Sequence, residues 1–203
     1  MSDTAARLQA AREAIYCERI LAKSGSSIVS AMLGTGDAFI AGQHYPDGDI
    51  YDADSGAQAY YHAHDAERRA EHGHFHCFLR PDGKAGPVHH LVALGMDHDG
   101  RLVRLFTVNR WVTGDTWLPA RHLGPLLARF DLQLARPDYL ANRWLTAVLA
   151  LYRDEIVNLL RRRDNALAAK GGESRLDDRA IEVLSECSVD LNETFAQLSG
   201  SAA

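Results

Sequence analysis

The sequence predicts an α+β fold, a central antiparallel β-sheet flanked by an N-terminal helix and C-terminal helices, and three observations predict it. Apolar residues recur at helical spacing before residue 24, alternate with a period of two in the middle, and return to helical spacing beyond Pro119. Strands grouped in the middle and helices grouped at the ends are the pattern of a sheet covered by helices rather than of a βαβ repeat. A chain of 203 residues fits one domain spanning 1–203, with enough length to bury a core.

A helix is predicted over residues 4–23, where Leu8, Ala11, Ile15 and Ala22 fall near one stripe between Ser2 or Thr4 as cap and Ser24-Gly25 as stop. Ile28 to Leu33 make another helical turn, ended by Gly34-Thr35-Gly36-Asp37. FIAGQHYPDGDIYDADSGAQ is rich in glycine, proline and aspartate and reads as a loop. Residues 58–65 and 72–80 read as strands. Good helix formers from Asp65 to Glu71 leave a helix over about 56–71 as the alternative. GHFHCFLRP alternates strictly and stops at Pro81-Asp82-Gly83.

VHHLVALGMD and RLVRLFTVNRWV form a hairpin turning on Asp99-Gly100, and Gly114-Asp115 breaks the second strand. The β-rich middle therefore covers about 58–113. Beyond Pro119, HLGPLLARF, then Trp144 to Leu159, then Ile181, Leu184, Cys187, Leu191, Phe195 and Leu198 all hold helical spacing, the last group as one helix or a broken pair, so about 119–199 is predicted helical.

Composition excludes several classes. Hydrophobic residues at 46% and charged residues at 24% describe a globular chain rather than a disordered or fibrous one. A net charge of −5 gives no electrostatic footprint for nucleic acid or anionic lipid, so neither nucleic acid nor membrane is expected as a partner. Charged residues Arg7, Arg12, Glu13, Glu18 and Arg19 interrupt the N-terminal segment, which predicts no signal peptide and a cytoplasmic protein. Cys17, Cys77 and Cys187 are odd in number and far apart, the pattern of reduced thiols.

One stretch stands apart. HAHDAERRAEHGHFHCF, residues 62–78, holds five of the ten histidines. If 58–65 and 72–80 are antiparallel neighbours, residues at i and i+2 share a face, so His62 with His64 and His74 with His76 point in common directions. Strands lie about 4.8 Å apart and same-face neighbours roughly 6.6 Å apart, so imidazoles on such a grid can converge on one ion. Zinc–nitrogen bonds of about 2.0 to 2.1 Å demand a stiff frame of this kind. His62, His64, His74 and His76 are the predicted metal ligands. His72, and one of His89 and His90, are further candidates. Phe75, Cys77 and Leu79 would then face the core, leaving Cys77 inert. In the helical alternative His64, Glu67 and Glu71 share one face, a mix that suits iron or manganese.

The H-x-H pair followed by glutamate, here His62, His64 and Glu67 or Glu71, resembles in part the first motif of the cupins. GHFHCF resembles the H-x-H strand of the animal-type carbonic anhydrases. These likenesses cover a few residues and imply only that strand-borne H-x-H pairs are used for metal. The longer pattern HYP…YYHAH…GHFH…FLR is similar to that of an uncharacterised bacterial family, a likeness that implies no function.

All-histidine ligation favours one transition-metal ion, iron, copper, nickel or zinc. Around it, His44, Tyr45, Asn109, Arg110 and Trp111 are the predicted substrate-binding residues, with Arg110 gripping an anionic group and Trp111 or Tyr45 packing on the substrate. Glu71 is the predicted proton shuttle or ligand-orienting carboxylate. Arg161-Arg162-Arg163 ends a long helix, where positive charge complements the dipole. The expectation is a metal-dependent enzyme acting on a small molecule. A metal-binding or metal-delivery protein and a histidine-rich pH-responsive domain are the alternatives.

Overall fold

The computed structural model describes residues 3–34, 40–63 and 71–200, and its centre is a six-stranded antiparallel sheet whose strands lie in chain order. Strands β1 (Tyr45–Tyr51), β2 (Ala57–His62), β3 (Glu71–Leu79), β4 (His89–Asp97) and β5 (Leu102–Val108) follow one another as a meander. Strand β6 (Val183–Ser188) returns from the C-terminal part to pair with β5. Helices α1 (Asp3–Lys23) and α2 (Ile28–Leu33) precede the sheet. Helices α3 (Arg110–Thr113), α4 (Ala120–Leu126), α5 (Tyr139–Leu151) and α6 (Arg153–Ala169) follow β5, and α7 (Leu191–Gly200) follows β6. This is the α+β architecture that the sequence predicts.

Local chemistry explains the main elements. The hairpin between β4 and β5 closes as predicted: the Asp97 carboxylate accepts from the backbone N–H groups of Asp99 and Arg101, and Gly100 takes φ +75°. Residues 57–62 are strand, and Glu71 opens β3 instead of ending a helix. His64 and Glu67, which the helical alternative needs, lie outside the described residues.

Four expectations are corrected. The second hairpin strand ends at Val108 rather than at Gly114, because Asn109 caps α3 and residues 110–113 are helical. Arg161, Arg162 and Arg163 lie within α6 rather than at its end, and Arg163 is buried, paired with Asp164 and stacked over Trp117. The segment read as a loop contains β1, whose register slips between Tyr45 and Ile50, so Pro46, Asp47 and Gly48 sit where an irregular edge strand tolerates them. The predicted C-terminal helical run is broken by β6. Ile181, Leu184 and Cys187 fit a helical period by spacing alone, but the open edge of β5 offers a ladder for this segment, and pairing of Cys187 with Leu105 and Glu186 with Phe106 satisfies it.

The two faces of the sheet differ in chemistry. One face carries Tyr61, Phe75, Cys77, Leu79, Leu94 and Leu105, all without solvent exposure, and packs against α1, α2, α5 and α6. The Phe75 ring lies 6.1 Å from that of Trp144 on α5. Each large apolar side chain buried here contributes about 1.5–3 kcal/mol. Polar ties lock the helices down: Trp144 donates from Nε1 to Glu18, and Ser185 on β6 donates to the Leu159 carbonyl on α6. By the same registers, the opposite face carries Tyr60 and His62, His74, His76 and Phe78, His90 and Ala93, Arg104 and Phe106, and Glu186, strand by strand from β2 to β6. That face holds the histidines. Among the described residues no helix is long and apolar enough to cross a membrane.

Candidate metal centre

The β2–β3 register sets His62 directly opposite His74 and Tyr60 opposite His76. Alternation along β3 keeps His74 and His76 on one face, so three imidazoles from two strands meet. His62, His74 and His76 each offer a ring nitrogen, and these three nitrogens lie within 4.8 Å of one another. His64, the fourth predicted ligand, lies outside the described residues. His76 has no exposed surface, His74 is buried, and His62 is half-buried.

Each ligand nitrogen is defined by what the rest of its ring touches. Nε2 of His62 and Nε2 of His74 are 2.7 Å apart. Nδ1 of His74 is 3.0 Å from Oε1 of Glu71, which fixes that imidazole with its proton on Nδ1 and its lone pair on Nε2. Nδ1 of His76 is 3.0 Å from Nε2 of His90. Nε2 of His76 is buried and has no hydrogen-bond partner among the described residues. A buried ring nitrogen without a partner is costly unless something outside the protein chain supplies one.

Glu71 reaches the histidine face through a β-bulge. The register shift between Glu71 and Gly73 turns its carboxylate toward His74, although strict alternation would set it on the side of Phe75. Oε2 of Glu71 accepts from Nε of Arg104 at 2.5 Å, and Nη1 of Arg104 donates to Oε2 of Glu186 at 2.6 Å. The guanidinium lies 4.1 Å above the centre of the Phe106 ring. Gly95 on β4 makes room for this bridge, since a Cβ there would collide with the Glu71 carboxylate and with Cγ of Arg104.

The environment sets charge states. Burial pushes the Glu71 carboxyl up, but hydrogen bonds from His74 and Arg104 and the charge of Arg104 outweigh it and hold the group below its ordinary value. Burial, with the neighbouring histidines, holds His76 well below the ordinary histidine value. Burial pushes His90 down to about 4, against the opposing charge of Asp115. Neutral imidazole is the ligating form. Three imidazoles, one of them oriented by a carboxylate, fit a nitrogen-preferring transition metal, and the unpartnered Nε2 of His76 is where that fit is most evident.

The predicted substrate-binding residues are spread over several places. His44 stands at the cluster's rim, exposed, its ring stacked at 3.6 Å on Tyr60, its Nδ1 3.2 Å from Oδ1 of Asp49, and edge-on to His62 at 5.9 Å. Tyr45 packs with the core on the helix side, and its hydroxyl accepts from the Ile40 N–H. Asn109 caps α3 and donates to the carbonyl of Arg175. Arg110 forms a two-pronged ion pair with Asp177, and Trp111 donates from Nε1 to the Ile181 carbonyl. These last three tie α3 to residues 175–181.

Of the additional histidines, His72 meets the hydroxyl of Tyr61 at 2.6 Å, and Nδ1 of His89 meets the carbonyl of Thr116 at 2.6 Å. His90 contacts His76 directly. Cys77 faces the core without exposure, and burial pushes its thiol pKa up.

Sequence reasoning missed Arg104 and Asp115. Asp115 accepts the His90 backbone N–H at Oδ2 and the Thr113 hydroxyl at Oδ1. In the sequence it is a turn residue after glycine, and nothing local marks it. Beside the cluster lies an open groove of about 720 Å³ lined by Glu71, Asp97, Arg104, Glu186 and Ser188, with Val103 and Val183.

No curated protein and no solved structure matches the sequence. A domain of unknown function, DUF6969, matches residues 8–189, a span that runs from within α1 past the end of β6 and so takes in the whole sheet and all three converging histidines. The chain belongs to the DUF6969 family.

Proposed function

We propose that the protein is a metal-dependent enzyme acting on a small molecule, with one ion of iron, copper, nickel or zinc held by His62, His74 and His76. The observation that carries this reading is the buried, unpartnered Nε2 of His76 beside the ring nitrogens of the two other histidines. Three protein ligands are the number that leaves a coordination position open, which separates catalytic sites from closed structural ones. An ion in this place supplies Lewis-acid or redox activation of water, oxygen or substrate.

The chain's own residues supply the rest. Glu71 orients His74, and Arg104 in turn holds Glu71 and keeps its carboxylate charged. Because Glu71 and Arg104 also line the groove, a molecule seated there stands beside the carboxylate that anchors a ligand. A volume of about 720 Å³ suits a small organic substrate. In this reading His44, exposed and stacked over Tyr60, binds substrate at the rim or passes protons there.

A metal-free histidine cluster is the competing reading. It is favoured by the 2.7 Å approach of His62 to His74, in which a shared proton joins two nitrogens that an ion would otherwise hold. Elemental analysis of tag-free protein purified without chelators separates the two. About one equivalent of metal per chain is expected, lost in the His74→Ala/His76→Ala double variant. Negligible metal after incubation with each ion, or undiminished metal in the double variant, overturns the site. Cobalt(II)-loaded protein tests catalytic competence: visible bands that move on adding azide indicate an open position, and bands that do not move make the site a closed one.

A further inference from the structure

A chain of contacts runs from the cluster away from the groove. His76 meets His90 at 3.0 Å, the His90 backbone N–H donates to Asp115 at 3.1 Å, and the Thr113 hydroxyl donates to the other oxygen of Asp115 at 2.9 Å. His76, His90 and Asp115 are all buried, with 0%, 3% and 7% exposure. Chains of this kind in a low-dielectric interior have a definite polarity, because each neutral imidazole carries one proton and two lone pairs cannot face each other.

The direction follows from the two ends. Asp115 sits against the main chain of His90, and Nδ1 is the ring nitrogen nearer the main chain, so the carboxylate favours the His90 proton on Nδ1. Nε2 of His90 is then an acceptor. His76 must donate to it from Nδ1, and its lone pair is left on Nε2, the atom without a partner in the cluster. The reverse polarity would leave a buried N–H pointing at nothing, in the position where the metal reading requires a lone pair.

We propose that His90 is a positioning residue that locks His76 in the tautomer with Nδ1 protonated and Nε2 free to ligate, and that Asp115 sets the polarity of the pair. Its purpose rests on the metal reading, whereas the tautomer can be measured without any metal. Glu71 performs the same task for His74 from the opposite side of the cluster, so the two β3 ligands are oriented independently, one by a carboxylate at a bulge and one by a second histidine.

The test uses the metal-free full chain labelled with nitrogen-15, in which long-range proton–nitrogen correlation reports the tautomer of each histidine. His76 protonated on Nδ1 is expected in the wild type. In His90→Phe the signature is expected to become mixed or reversed, and zinc affinity measured against a competing chelator to fall roughly ten- to a hundredfold. His90→Gln, whose carbonyl can accept from Nδ1, should restore both. Asp115→Asn keeps an acceptor for the His90 N–H while removing the charge. It should shift the His76 signature in the same direction, which keeps the test decisive if His90→Phe does not fold by circular dichroism. A wild-type His76 protonated on Nε2, or an unchanged signature in whichever variant folds, overturns the proposal. A wild type that binds none of iron, copper, nickel and zinc, yet shows the expected tautomers and their response, refutes the metal reading and upholds the positioning role.

Discussion

His62 and His74 face each other across the β2–β3 ladder with their Nε2 atoms 2.7 Å apart, the closest approach within the histidine cluster. His62 is the half-buried member, and the other two are held from behind by Glu71 and His90. His62→Ala should therefore leave the fold intact and drop metal content below about a tenth of an equivalent, because two imidazoles fall short of the three protein ligands such sites use. Unchanged metal content alongside an unchanged melting temperature would remove His62 from the site.

Glu71→Gln keeps size and a hydrogen-bond acceptor but loses the charge that favours the Nδ1 proton of His74 and pairs with Arg104. Metal affinity is expected to fall roughly ten- to a hundredfold, as is usual when a ligand's carboxylate partner is removed. Chelator competition measures it. An affinity within about twofold of wild type, inside the context-dependence such effects always carry, would show that Glu71 does not orient His74.

Gly95→Ala tests the same bridge without touching a ligand or a charge. The added methyl would meet the Glu71 carboxylate and Arg104, so the bridge must shift. A destabilisation of about 1–3 kcal/mol is expected by urea denaturation. Metal affinity should fall with it. A stable variant with weakened metal binding would be the clearest sign that the bridge serves the site; one with wild-type affinity would dissociate the two.

Asp52 provides a pH prediction far from the histidines. Its Oδ1 accepts from the N–H groups of Asp54 and Ser55 and its Oδ2 from that of Gln133, joining the β1–β2 turn to the segment before α5. Burial raises this carboxyl, yet the backbone hydrogen bonds prevail and its pKa is lowered. A folded-state pKa below the unfolded one gives stability that is full above the unfolded value, about 3.9, and is lost as pH falls through the folded value. Asp52→Asn should cost about 1–3 kcal/mol at pH 7, with the gap to wild type closing below about pH 4. A gap independent of pH would mean that the carboxylate's charge plays no part.

Much of this was legible in the residues. Strict alternation in GHFHCF places His74 and His76 together and Phe75 and Cys77 in the core, and Asp99-Gly100 announces its hairpin. Glu71 and one of His89 and His90 stood among the candidates, but the way they reach the cluster was not legible, because it depends on local irregularity governed by distant partners. The bulge at Gly73 moves Glu71 to the other face, and a second irregularity between Cys77 and Phe78 pairs His90 with Phe78, bringing it beside His76. Neither leaves a mark in a period of two. Strand β6 was misread because Ile181, Leu184 and Cys187 suit a helix as well as a strand until the edge of β5 decides. Arg104 looks like any surface arginine in a strand until two glutamates, one 33 residues before it and one 82 after, are folded against it.

That last separation bears on how the molecule is made. Five strands can zip together as they leave the ribosome, each meeting a neighbour already synthesised, whereas β6 arrives only after α3 to α6 have been produced. Until Glu186 emerges, the nascent polypeptide holds its histidines on a sheet with a raw edge and an Arg104 lacking one of its two partners. Completion of the cluster's support is thus a late event in biosynthesis, and a metal captured earlier would be held by a less rigid frame than the finished one.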